Sequence, residues 1–319
     1  HYFATIDEAD LEIIKREIIL LANSHEKEYG ESDPTFTYTT AAVMGNPQSG
    51  LIEGDSFDGF LLRPSPSSNN NVGEYNILLV TPNNPNYQVQ YVGNTLTINK
   101  RNLYLTVGDY TKIYGEQLPQ FSVSPSSDYA NPFAYSDTMS SLLGELEFLC
   151  MDGETPVGVA TGVGVYDIIA QGLTSFNYQI IYNSGILTIE RRQIEVRATD
   201  TQKIYGEEED PQLLFSVHSL PDVDYSGIYG EDTLIGDLSR EPGEIVDDYS
   251  IEQGAINNEN NPNYDITFVG GTFTIIKRDA QIEILVSSRE YDGEFPYILD
   301  EEYDVHNAYG DIKDNINII

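Results

Sequence analysis

The sequence predicts a mostly β protein, a tandem array of small modules with five or six strands and one short helical turn each. Three observations predict it. A segment ending in a basic pair occurs four times with one length: residues 2–16 (YFATIDEADLEIIKR), 87–101 (YQVQYVGNTLTINKR), 178–192 (YQIIYNSGILTIERR) and 264–278 (YDITFVGGTFTIIKR). Its copies start 85, 91 and 86 residues apart, and a second motif keeps step, KEYGE at Lys27, KIYGE at Lys112 and Lys203, and REYDG at Arg289. A shared period of this size signals stacked structural repeats. Inside the segment apolar and polar residues alternate, the period of a half-buried strand.

Each element follows from local pattern. Tyr87, Val89 and Tyr91 share one strand face, and Leu96 and Ile98 share another beyond a Gly-Asn turn. Tyr178, Ile180, Tyr182 with Leu187, Ile189 and Tyr264, Ile266, Phe268 with Phe273, Ile275 repeat the pattern, so the segment reads as a hairpin that closes each module. The residues after each pair form a further strand with Ile18, Leu20, Ala22, then Leu103, Leu105, Val107, then Ile194, Val196, Ala198, then Ile282, Ile284, Val286 inward. From Ile13 to Ile18, Ile98 to Leu103 and Ile189 to Ile194 the step is five, an odd number that reverses the buried face of an extended chain. This predicts that each basic pair carries the chain from one core into the next with almost no linker.

Further along, the tyrosine of K-x-Y-G precedes Gly30, Gly115 or Gly206, suited to a turn with positive φ, and Pro34, Pro119 or Pro211 follows. Asp55-Ser56, Asp137-Thr138 and Asp232-Thr233 offer helix N-cap chemistry ahead of Phe57, Met139 or Leu234, which predicts the helical turn. Strands beginning near Val72, Val163 and Val246 complete the set. The boundaries that result are 1–16 for the end of a preceding repeat, 17–101, 102–192 and 193–278 for three repeats, and 279–319 for the start of another. About 85 residues suffice for a small independent core.

Those motifs, taken in order, resemble the MBG, or mostly β-grasp, repeats found in tandem in large bacterial surface proteins. The family pattern runs K-x-Y-G with a nearby Asp-Pro, then G-D-x-L-x-G, V-G-x-Y-x-I and N-Y-x-I with a closing x-G-x-L-x-I. KEYGESDP from Lys27, EDTLIGDL from Glu231 and NYDITFVGGTFTI from Asn263 match best, and the likeness covers about residues 1–278. The second repeat departs with DTMSSLLG, and the third has Asp247-Asp248 where Gly is expected before Tyr249. The resemblance implies β-grasp-like modules and an adhesin-like stalk at a bacterial cell surface or cell wall, and implies no ligand.

Composition narrows the chemistry. Asp and Glu number 52 against 16 Lys and Arg, a formal net charge of −36, which disfavours nucleic acid and anionic lipid as partners. Cys150 is the single cysteine, so no intrachain disulfide forms, and its apolar neighbours read as burial. No stretch reaches the ~20 apolar residues of a membrane helix, so no membrane insertion of this segment is expected. His1, His25, His218 and His306 fall at unrelated repeat positions and form no catalytic set, so no enzyme and no cofactor are expected.

Two sites stand as expectations. Asp222, Asp224 and Ser226 place oxygens at alternate positions before a glycine, with Glu231 and Asp232 beyond, a partial calcium pattern set against a solvated acidic loop. Tyr129, Phe133, Tyr135, Tyr225 and Tyr229 are aromatics of variable loops, where a host protein or glycan would bind if one does, against ordinary loop packing. The basic pairs are expected to meet carboxylates of the next repeat. The function expected is a stalk or spacer, monomeric within a longer chain. The alternatives are loop-based recognition and a calcium-stabilised adhesin repeat.

Overall fold

Period-two alternation gives strands throughout. The computed structural model describes residues 10–57, 59–64, 70–80, 85–128, 131–279, 281–284 and 303–306. In the first repeat the strands are β1 (Arg16–Ala22), β2 (His25–Glu28), β3 (Tyr38–Ala41), β4 (Phe60–Leu62), β5 (Gly73–Asn76), β6 (Leu78–Val80), β7 (Tyr87–Val92) and β8 (Thr95–Asn99). They form sheets of order β3-β1-β7 and β2-β8-β5, with a small β4-β6 pair. The central contact of each main sheet is parallel: β1 with β7, where Ile18 faces Val89, and β2 with β8, where Lys27 faces Ile98.

Later repeats reuse this plan. The second has β9 (Arg101–Val107), β10 (Tyr110–Ile113), β11 (Val123–Pro125), β12 (Glu147–Asp152), β13 (Thr155–Pro156), β14 (Gly164–Gln171), β15 (Tyr178–Asn183) and β16 (Gly185–Glu190), in sheets β11-β9-β15 and β10-β16-β14-β12-β13. The third has β17 (Arg192–Ala198), β18 (Thr201–Ile204), β19 (Phe215–His218), β20 (Ser239–Arg240), β21 (Asp248–Glu252), β22 (Tyr264–Val269) and β23 (Gly271–Ile276), in sheets β19-β17-β22 and β18-β23-β21-β20. Beyond it β24 (Gln281–Ile284) pairs antiparallel with β25 (Tyr303–His306), as β1 does with β3. The REYDG motif at Arg289 lies outside the described residues.

The chain forms two compact units. One comprises His1–Gly108, Phe121–Leu149 and Ile168–Gly185; the other comprises Asp109–Gln120, Cys150–Asp167 and Ile186–Ile319.

Three expectations need correction. The recurring segment is not a hairpin: β7 pairs with β1, whereas its successor β8 pairs with β2 and β5. Likewise β15 joins β9 and β22 joins β17, while β16 and β23 join the other sheets. Both strands bury alternate residues, so the same pattern serves an arch between two sheets as well as a hairpin within one. The separation of cores at the basic pair also fails. Leu96 and Ile98 before the pair, and Leu103 and Leu105 after it, belong to one contiguous buried cluster with Tyr29, Ala134 and Tyr178. The face does reverse, but aromatic side chains bridge the two sides.

The helical turn, expected in every repeat, forms only at Met139–Ser141 among the described residues. In that repeat the longer DTMSSLLG run gives the turn room, and Ser141 Oγ accepts the Thr138 N–H at 3.1 Å. The shorter runs of the other repeats reach Gly59 and Gly236 first.

Candidate functional site

The K-x-Y-G-E motif makes one local structure three times. Glu31, Glu116 and Glu207 donate their N–H to the carbonyls of Glu28, Ile113 and Ile204, closing a four-residue turn whose glycine has φ of +94°, +83° and +85°. Each glutamate also accepts a backbone N–H through its side chain, from Glu28, Ile113 and Ile204 respectively. The turn therefore holds its tyrosine rigidly at its tip.

That tip enters the next repeat. In the first unit the Tyr29 hydroxyl donates to Asp137 Oδ2 at 3.0 Å, and the Tyr178 hydroxyl donates to the same oxygen at 2.9 Å. Their rings meet edge to face at 5.4 Å, and Tyr135 meets Tyr29 likewise at 5.3 Å. The Ala134 N–H donates to the Tyr178 hydroxyl at 2.7 Å. In the second unit Tyr114 and Tyr264 donate to Asp232 Oδ2 at 2.9 and 2.5 Å, Tyr229 packs on Tyr114 at 5.5 Å, and the Tyr229 N–H donates to the Tyr264 hydroxyl. Asp137 and Asp232, expected as helix caps, are the acceptors at the centre of these seams. Hydrogen bonds to a charged group contribute about 1.5–3 kcal/mol each.

Glycine is required at the tip for a second reason besides its dihedral. A Cβ on Gly30 would stand 2.5 Å from the Ala134 Cβ and 3.1 Å from Arg101 Nη1. One on Gly115 would stand 2.5 Å from the Tyr229 ring and 3.0 Å from Arg192 Nη1. The basic pairs donate to backbone carbonyls where the sequence suggested carboxylates. Lys100 reaches Ser175 O and Arg101 reaches Asn131 O, while Arg191 reaches Pro262 O. Arg192 gives Nε to Gly227 O, Nη2 to Ser226 O and Nη1 to Tyr114 O. Asparagine side chains add one more tie, Asn177 accepting the Val72 N–H and Asn263 the Val163 N–H. Between β8 and β9, and between β16 and β17, a single residue intervenes.

Burial, reinforced by the adjacent carboxylate, pushes the Tyr29 and Tyr114 hydroxyls up to about 12. The same two causes raise Tyr178 and Tyr264 as well, and the hydrogen bond to Asp55 raises Tyr87.

The motif lysines, which sequence reading passed over, are buried. Lys27 meets Glu31 O at 2.7 Å and Asp33 at 2.9 Å, and Arg63 grips both oxygens of Asp33. Lys203 meets Asp210 and Glu244, both at 2.6 Å, and Arg240 bridges the same two acids. Lys112, 2% exposed, reaches two carbonyls, Glu116 O at 3.0 Å and Val159 O at 3.2 Å. Strand alternation placed each lysine on the face of its tyrosine, a signal that could have found them.

The expected site residues are dispersed. Asp232 faces two tyrosines, and Ser226 Oγ is engaged with Leu220 and Val223 inside its own loop. Among the described residues no group of three or more His, Cys, Asp or Glu could hold a metal ion, so Asp222, Asp224, Glu231 and Asp232 are not brought together as one ligand set. Phe133 packs on Tyr178 of its own repeat at 5.7 Å, whereas Tyr135 and Tyr229 pack on Tyr29 and Tyr114 of the preceding repeat and so join repeats. Tyr225 is 46% exposed, and Tyr129 lies outside the described residues. Cys150 is buried, and burial raises its thiol.

A chain of β-sheet modules in which the Tyr-Gly tips of the first two enter the module that follows is a tandem β-repeat protein. The MBG domain (YGX type) family matches residues 18–97, 103–188 and 194–274, each containing one such Tyr-Gly pair, and the chain belongs to that family. Among solved structures it is similar to the three-Ig titin segment I67–I69, an E-to-A mutated variant. The identity is 9%, the TM-score 0.26, and the match covers 81% of this chain and 96% of that one. A match to the N-terminal eight Ig domains of Down Syndrome Cell Adhesion Molecule has 13% identity and a TM-score of 0.15, covering 91% and 45%. A search of curated proteins returned no match.

Proposed function

We propose that the chain is a non-catalytic stalk segment of a large bacterial surface protein, holding a binding domain away from the cell. The observation that carries this reading is the seam: a half-buried carboxylate shared by tyrosines of two successive repeats, with one residue of chain between their strands. Repeats tied in that way resist bending relative to their neighbours, which is what a spacer requires. The net charge of −36 adds self-repulsion and solubility at an exposed surface.

Small-angle scattering of the full chain against Asp232→Ala tests it. The expected outcome is a broader distance distribution for the variant than for the parent. In the intact protein, deletion of residues 102–192 is expected to shorten the array and leave adhesion in place. Loss of adhesion on altering the loops of a single repeat would sink the reading. It would favour direct recognition of a host protein or glycan, for which Tyr135 and Tyr225 are the exposed candidates.

A further inference from the structure

The first repeat carries the receiving half of a seam, with no Tyr-Gly turn seated in it among the described residues. The Tyr87 hydroxyl donates to Asp55 Oδ2, and the Ile52 N–H donates to the Tyr87 hydroxyl at 3.1 Å, matching the arrangement around Asp137 and Asp232. Arg16 gives Nε to Gly50 O and Nη2 to Ser49 O, as Arg192 does to Gly227 and Ser226. Three features then differ together. Among the described residues Asp55 Oδ2 accepts from one tyrosine where its counterparts accept from two. Ile52 is 50% exposed, whereas Ala134, at the equivalent place beneath Gly30, is 5% exposed. Leu11 and Ile13 are each 89% exposed, whereas their equivalents Leu96 and Ile98 are 0% and 1% exposed.

The filled seams define the chemistry of the missing insert. Leu187 and Ile189 are covered by a parallel strand whose Tyr110 and Lys112 stand opposite them. That strand continues into the Tyr114-Gly115 turn, whose tyrosine N–H bonds Glu190 O, whose hydroxyl bonds Asp232 and whose carbonyl accepts from Arg192 Nη1. We propose that residues 11–14 together with Arg16, Ile52, Asp55 and Tyr87 form a docking surface for the K-x-Y-G-E strand and turn of another repeat of this kind. The incoming strand runs parallel to residues 11–14 with its lysine opposite Ile13. Its tyrosine hydroxyl takes the remaining place on Asp55, its glycine lies on Ile52, and its carbonyl meets Arg16. This surface does not depend on the stalk reading, because a chain that bound its ligand directly would carry it too.

The test uses the full chain and a synthetic peptide of residues 109–117 (DYTKIYGEQ) as the probe, followed by amide hydrogen exchange and NMR shifts. Saturable binding with a Kd at or below about 1 mM is expected, with protection confined to residues 10–17, 50–57 and the surroundings of Tyr87. The peptide carrying Tyr114→Phe should bind about fivefold more weakly and the one carrying Tyr114→Ala at least tenfold more weakly. These changes leave the protein untouched, and Asp55→Asn in the chain should reproduce the first of them. Absence of saturable shifts at 2 mM peptide, in about twofold excess of the weakest expected Kd, overturns the proposal. So does equal binding of the Tyr114→Ala peptide, or protection elsewhere in the chain.

Discussion

The second repeat and its neighbours bury the same lysine in opposite ways. Lys27 and Lys203 sit in ion networks with Asp33 and Arg63, or with Asp210, Glu244 and Arg240. Lys112 has only carbonyls within reach of its Nζ among its hydrogen bonds. The sequence change behind this is paired: the position before the proline is Asp33, Leu118 and Asp210, and the position four after the glycine is Arg63, Phe148 and Arg240. Where the acid is lost the arginine is lost too, and Phe148 packs instead on Phe121 at 5.8 Å. Removing both members of a buried pair is tolerated far better than removing one. In all three the stem is buried in the core, and in Lys27 and Lys112 the ammonium also ties the turn through the carbonyl of Glu31 or Glu116.

The comparison breaks most severely by removing one partner. Asp33→Ala should destabilise the first repeat by about 3 kcal/mol, because Lys27 and Arg63 stay buried without their anion; repeat-resolved hydrogen exchange would read it. Lys112→Met is expected to change the second repeat by under about 1 kcal/mol, since no buried ion is left behind. A loss as large as that for Asp33→Ala would show that the carbonyls alone hold the ammonium as firmly as the acids do. Leu118→Asp should return a counterion to Lys112. Desolvation now holds that lysine below its usual value, and NMR titration should show it rise.

Acid sharpens the contrast further. Burial opposes ionisation of Asp33, but hydrogen bonds from Arg63 and Lys27 outweigh it and hold the carboxyl below its ordinary value; the Arg240 hydrogen bond does the same for Asp210. A depressed carboxyl contributes stability that is full above about pH 4 and lost as pH falls through the folded value. The first and third repeats should therefore loosen in acid before the second. In alkali the seams respond with the opposite sign. Tyr29 and Tyr114 are raised from about 10 to about 12, so their contribution is full below pH 10 and disappears as pH rises through 12. Absorbance titration against melting temperature would follow it. The smallest effect expected is chelation, which should leave the melting of the third repeat unchanged because Asp232 already serves two tyrosines.

Much of the architecture was legible because strands announce themselves through alternation, and the 85- to 91-residue period needed only the recurring Tyr and K-x-Y-G motifs. Sheet membership was not. Tyr87 to Ile98 alternates in the same way whether its two strands pair with each other or arch between sheets, and the deciding parallel contacts lie about 70 residues away. The aspartates misled for a related reason. Asp137 and Asp232 look like local caps, yet their partners Tyr29 and Tyr114 are more than 100 residues distant. The loop aromatics Tyr135 and Tyr229 stand in variable loops, yet each packs on the tyrosine of the preceding repeat, while Phe133 packs on Tyr178 of its own.

In each seam the Tyr-Gly tip of one repeat meets the aspartate socket of the repeat that follows, so the array has a direction. Excising or duplicating one whole unit always rejoins a matching key and lock. Copy number can therefore change while the order in which a tip meets its socket stays the same.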